Sequence, residues 1–253
     1  MTEERLLTAF HAITYARMCT YSHFAKIYAG LFDCAAIKED GATLREYREI
    51  LAPAGPPLGD ALAAYLSEAE RISPETLESI EFEYNRLFVG PARLVAPPYE
   101  SVYRTEHRLV MGDTTLAVRN AYHEIGFRMT LEAREPDDHI SAELTYLSLL
   151  QSRCLQAIER GEAQEIRRLI RTEQAFLHEH LLIWVAEFCR MIQEGTRSAF
   201  FSALAGVTPL ILQNDVQVLG EVGDSLASTG EEIHPKENNK QGGYNGRRQA
   251  GNR

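Results

Sequence analysis

Apolar side chains recur every three or four residues along most of the chain, while alternating and β-branched runs are scarce. This periodicity predicts helix after helix and almost no strand. Leu7, Phe10, Thr14, Met18, Tyr21, Phe24 and Tyr28 follow one face of a first helix ending near Gly30, a suitable residue just past a helix end. A short second helix is expected from Thr43 to about Leu51, closed by the breaker run PAGPP at 53–57. Leu58, Leu62, Tyr65, Leu66, Ala69 and Ile72 mark a third. Ser73 before Pro74 restarts the chain, because serine caps free amides and proline suits the first helical position. The stripe Leu77, Ile80, Tyr84, Leu87 and Phe88 then runs to Gly90-Pro91.

The stretch GPARLVAPPYESVY (90–103) holds too much proline to continue as helix or pair as strand. A fifth helix is expected from a cap at Asp113 to Gly126, and a sixth after Pro136, with Asp137 or Asp138 just inside its start. A seventh spans about Glu162–Glu194, broken near His178, and an eighth runs from Arg197 to Leu219. The expected fold is therefore all-α, a single-domain helical bundle of about eight or more helices over residues 1–220. The tail, 221–253, is poor in apolar side chains and is expected to be disordered.

Charge narrows the partners. The formal net charge is −10, and acids balance bases from Glu221 onward, so the body carries the excess. Such a body repels nucleic acid and anionic membranes and suits a basic partner. No apolar run is long enough for a membrane span and the amino terminus carries acids early, so a cytoplasmic location is expected. Cys19, Cys34, Cys154 and Cys189 are scattered and read as small core residues. The pair Arg247-Arg248 lacks the apolar segment an export signal carries behind its arginines.

No phosphate loop, dinucleotide fingerprint, nucleophile elbow or H-E-x-x-H occurs. His178 and His180, two apart on a helix, point about 200° apart, so one should face the core and the other solvent. His139 and Glu143 are four apart and share a helix face, so with Asp137 or Asp138 they offer part of a cation site. That pattern keeps one alternative open, a helical metal-dependent enzyme centred on His139 and Glu143, although no further ligands suggest themselves. Helix capping explains one aspartate of the run and leaves the second carboxylate and the imidazole without a task.

Three segments carry a family resemblance. EFEYNRLFVGPARLVAPPYESVYRTE (81–106) resembles the signature of the TorD/DmsD family of cytoplasmic redox-enzyme maturation chaperones, in which E-Y-x-x-L-F-x-G-P runs into P-P-Y-E-S-V-Y. EPDDHISAELTYLSLL (135–150) resembles the second motif, and FLHEHLLIWVAEFCRMI (176–192) the third, through Phe176, His180, Leu181, Trp184 and Phe188. The resemblance implies an all-helical chaperone, not an enzyme, without catalytic residues, metal or cofactor. Its partners would be the apo catalytic subunit of a molybdopterin-containing oxidoreductase and that subunit's twin-arginine signal peptide, bound before export; monomer and homodimer both stay open.

Matched motif by motif, Tyr99, Glu100 and Tyr103 in the first segment and Asp137, Asp138 and His139 in the second become the peptide-binding candidates. Two guanidinium groups followed by an apolar stretch call for fixed carboxylates beside a greasy groove. Glu100, Asp137, Asp138 and Glu143 would supply the first, and Leu94, Val95, Tyr99, Tyr103 and Ile140 the second. Glu100 could equally cap the turn that follows it. His139 is expected to titrate near neutrality, and neutralising Asp137 and Asp138 to weaken binding with the melting temperature nearly unchanged. Trp184 and Phe188 are expected in the core.

Overall fold

The structure, a computed structural model, describes residues 3–51, 56–91, 93–105, 110–128 and 135–230. Ten α-helices follow one another among these residues: α1 Glu3–Tyr28, α2 Cys34–Leu51, α3 Pro56–Glu70, α4 Pro74–Tyr84, α5 Glu100–Arg104, α6 Asp113–Glu124, α7 Ile140–Glu159, α8 Ala163–Phe176, α9 Leu182–Gly195 and α10 Ala199–Gly230. The all-α expectation holds. α1 lies along α7 at the centre, α2 bridges α1 and α3, and α10 packs across α3, α8 and α9. Tyr28, Phe88, Trp184, Phe188 and Phe201 interlock in the core with ring centroids 5.3–6.3 Å apart.

Three boundaries differ from the pattern-based reading. α2 begins nine residues before Thr43, because the Asp33 carboxylate accepts from the Ala36 amide at 2.8 Å and caps a first turn that periodicity alone overlooks. The proline-rich stretch gives way to helix at Glu100, two residues after its last proline, since a proline restricts the residue before it and leaves later residues free to turn. α10 passes through Pro209 and runs ten residues into the segment read as tail. Val222 and Leu226 prolong its apolar stripe and pack on the core, and the Leu226 carbonyl accepts from Arg167 at 3.3 Å. Residues 231–253, with Arg247-Arg248, lie outside the described residues.

α1 carries a charged residue on its buried face. Arg17, 1% exposed, donates to Glu173 at 2.6 Å and Gln151 at 3.1 Å, and its Nε lies 2.8 Å from Asp215. Asp215 also accepts from the hydroxyls of Tyr21 and Tyr47. The guanidinium thus ties α1 to α7, α8 and α10, and Asp215 brings in α2 through Tyr47. Cys154 and Cys189 are buried and Cys19 and Cys34 half-buried, all four as free thiols.

Candidate functional site

The first motif is delivered by a break in helix geometry. α4 passes into a π turn, Asn85–Val89, closed by the Gly90 amide on the Asn85 carbonyl at 2.8 Å. Gly90 sits at φ 85°, where a side chain would be strained. Glu83 braces the turn: it accepts both Arg86 contacts at 2.7–2.8 Å, the Arg197 amide at 2.7 Å and the Thr196 hydroxyl at 2.8 Å. Arg86 foremost holds its carboxyl down at about 2. The chain then crosses the end of α9 so closely that a side chain on Gly195 would collide with that of Val95.

First and second motifs are joined by an antiparallel pair, Tyr99 with His139, the one bridge of this kind among the described residues. Its bonds are Glu100 N–H to the Asp138 carbonyl, 3.0 Å, and Ile140 N–H to the Pro98 carbonyl, 2.9 Å. The Asp138 carboxylate accepts from the Ser101 amide and the Thr115 hydroxyl, each at 2.9 Å, so it caps α5 from another segment. Asp137 accepts Tyr122 on its carbonyl at 2.8 Å and Arg119 on its carboxylate at 2.6 Å. Neither aspartate lies inside α7. His139 is that helix's cap, its Nδ1 accepting from the Ser141 amide at 3.1 Å while its ring meets Tyr99 edge-on.

The third motif closes the junction from behind. A second π turn, Leu177–Leu181, breaks the long helix where His178 predicts it, leaving His178 exposed and His180 buried. His180 Nδ1 stands 3.0 Å from Glu100 Oε2, and Arg104 bonds Glu100 at 2.5 Å and the Glu179 carbonyl at 2.9 Å. Trp184 donates to Glu143 at 3.3 Å and lies under Tyr103, ring centroids 5.3 Å apart. Burial, with Glu100 beside it, pushes the Glu143 carboxyl well up from its ordinary value.

This geometry corrects the expected roles. Glu100, Asp138 and Glu143 are completely buried and bonded inside the protein, and Asp137 is 7% exposed. A passing cation therefore meets none of the first three directly in this conformation. The reason is local: each satisfies a backbone amide or a side chain that the junction would otherwise bury unpaired. Glu100 is neither a cap nor a free anion, but the partner of Arg104 and His180. His139, buried, has its pKa lowered to about 4 and does not titrate near neutrality. Among the described residues no three His, Cys, Asp or Glu side chains gather as metal ligands. His139 Nδ1 is turned to Ser141 and Glu143 to Trp184, which removes the support for the metal-centred reading.

What reaches solvent at the junction is a rim. Tyr99, half-buried, donates to the exposed Glu135 at 2.7 Å, Tyr103 is half-buried over Trp184, and Arg119 covers Asp137 with 46% of its side chain exposed. Leu116, one turn before Arg119 on α6, is also exposed. On the other side of α6 an open cleft of about 590 Å³ is lined by Ala117, Ala121, Glu124, Phe176, Glu179 and His180 among others. Sequence reading missed Arg104, Arg119, Thr115 and Tyr122. Glu135 lies within the second motif, but nothing in its spacing sets it apart from the other acids there.

The neutral His139 gives a pH signature. Between pH 6.5 and 4 the unfolded chain binds a proton at this residue that the folded one refuses, so stability falls as pH falls across that window. Denaturant unfolding at several pH values should show a shallower fall for His139→Asn, which retains a capping acceptor and does not titrate.

A family model described as nitrate reductase delta subunit matches residues 52–190, a span that contains the first two motifs and the third through Phe188. The chain belongs to this family. Within it, the Tat proofreading chaperone DmsD of Salmonella paratyphi A is 28% identical over 160 residues, covering 60% of this chain and 72% of its own. The chaperone protein TorD of Aliivibrio salmonicida is 23% identical over 166 residues, covering 65% and 76%. A solved structure of a redox enzyme maturation protein from Archaeoglobus fulgidus is 20% identical, with a TM-score of 0.45 over 77% of this chain and 93% of that one. The resemblance to the TorD/DmsD chaperones is thus borne out. Among the described residues no helix is long and apolar enough to cross a membrane.

Proposed function

We propose that the protein is a maturation chaperone that holds the twin-arginine leader and the apo form of a molybdopterin oxidoreductase subunit in the cytoplasm before export. The observation that carries this reading is the convergence of three separate sequence motifs on one junction whose rim presents Tyr99, Glu135, Tyr103 and the Asp137–Arg119 pair. Binding of this kind makes and breaks no covalent bond. Tyr99, Tyr103, Glu135 and Asp137 touch the leader; Glu100, Asp138, His139 and Glu143 position them. Rigid support matters because a preorganised surface loses less entropy when a peptide docks. The body's negative charge draws a cationic leader in, and salt weakens that attraction.

Guanidinium recognition by a carboxylate uses a planar fork that an ammonium lacks. Replacing both leader arginines by lysine should therefore weaken binding by about tenfold or more, with the charge unchanged. Calorimetric titration of the two synthetic leaders against the full chain measures it. Equal affinity for both would reduce recognition to net charge and remove the junction from the account.

A further inference from the structure

Of the four carboxylates expected to receive arginine, two already hold a guanidinium that reaches solvent, Glu100 that of Arg104 and Asp137 that of Arg119, and only the second is held by its carboxylate alone. The Nε and one terminal nitrogen of Arg119 both converge on Asp137 Oδ2 at 2.6 Å, leaving Oδ1 outside this contact. The Arg119 side chain is 46% exposed and that of Asp137 10%. Arg119 has no other bonded partner among the described residues, whereas Arg104 is held both by Glu100, which has no exposure, and by the Glu179 carbonyl. Asp138 is closed off by a backbone amide and a threonine hydroxyl, and Glu143 is fully buried against Trp184. Asp137 is also fixed from behind, since its carbonyl accepts from the buried Tyr122.

We propose that Asp137 is an exchangeable seat for a guanidinium group, filled by Arg119 in the free protein and by an arginine of the bound leader in the complex. The inference deepens the proposed chaperone function and rests on it for the leader's identity. Physically the exchange is nearly balanced: one charge-assisted contact is traded for another, so a nearly buried carboxylate is never left unpaired at either end of the process. The trade favours selectivity over strength. An ammonium or a lone apolar segment cannot replace the fork that Arg119 gives up, while a leader arginine with a neighbour and an apolar continuation adds contacts that Arg119 lacks. Arg119 thereby acts as a built-in competitor that raises the threshold for binding.

The test uses the full chain with Arg119→Ala, Asp137→Asn and the double variant. Two probes are applied: a synthetic twin-arginine leader, and methylguanidinium as a small stand-in for the side chain. Arg119→Ala should bind the leader several-fold more tightly than the wild type, and adding Asp137→Asn should abolish the gain. Methylguanidinium should raise the melting temperature of Arg119→Ala more than that of the wild type or the double variant. Unchanged or weaker leader affinity in Arg119→Ala overturns the exchange. So does a methylguanidinium effect that is the same in all variants. A leader that binds no variant sinks the functional reading instead, and the small-molecule arm then decides the guanidinium seat alone.

Discussion

Replacing Arg17 by methionine should lower the unfolding free energy by about 3–5 kcal/mol, the range for removing one partner of a buried ion pair. For a chain of this size that is a fall of about 6–20 °C in melting temperature. The cause is the two carboxylates left behind: Glu173 and Asp215 are 2% and 0% exposed, and with Arg17 gone they face each other without a cation. Adding Glu173→Gln and Asp215→Asn to the same chain should recover much of the loss, because the volume is kept and the unpaired charge is gone. Lowering the pH from 7 toward 5 should recover part of it too. Burial has already pushed the Glu173 carboxyl up to about 7, so across that window the folded chain takes up a proton that the unfolded one, with its ordinary carboxyl, does not. Thermal melts of the single and triple variants at two pH values decide this. A single variant as stable as the wild type would mean that the cluster contributes nothing to the fold.

Asp138→Ala should be the most damaging change at the junction, costing roughly 2–4 kcal/mol, because it strands the Ser101 amide and the Thr115 hydroxyl in a dry interior. The loss should be felt first in the pairing it supports. Amide exchange at Glu100 and Ile140, whose N–H groups make the two bonds between the motifs, should quicken well before the central helices α1 and α7 lose protection. Asp137→Asn should cost much less, since its arginine partner stands half in water. Neutralising both aspartates at no cost in melting temperature, as the sequence suggests, is therefore not expected of Asp138. If Asp138→Ala leaves exchange at Glu100 and Ile140 unchanged, the carboxylate does not hold the motifs together.

The helical fold was legible because apolar spacing reports directly on which side of a helix is dry. That one of His178 and His180 faces the core and the other solvent could be read the same way, from the 200° between residues two apart. The start of α2 was hidden, since its first turn is too short for a period to develop and its signal was the single cap Asp33. The motifs marked the junction, yet their spelling carried no information on burial. A carboxylate in a polar run reads as exposed, and only the path of α5 and α6 shows that Asp138 and Glu100 serve a backbone amide and a neighbouring cation. Arg17 escaped for the opposite reason: it stands on the stripe with Thr14 and Tyr21, where a charge reads as an interruption until its partners, 156 and 198 positions further along the chain, are brought beside it.

The most direct test of the central claim places a photo-crosslinking residue beside the arginine pair of a leader peptide, irradiates it with the full chain and maps the linked sites. The account expects capture at the rim, on Tyr99, Glu135, Arg119 or Leu116, and its suppression by excess unlabelled leader but not by a lysine-substituted one. Capture concentrated on a surface remote from α5, α6 and the start of α7, equally suppressed by either leader, would contradict it.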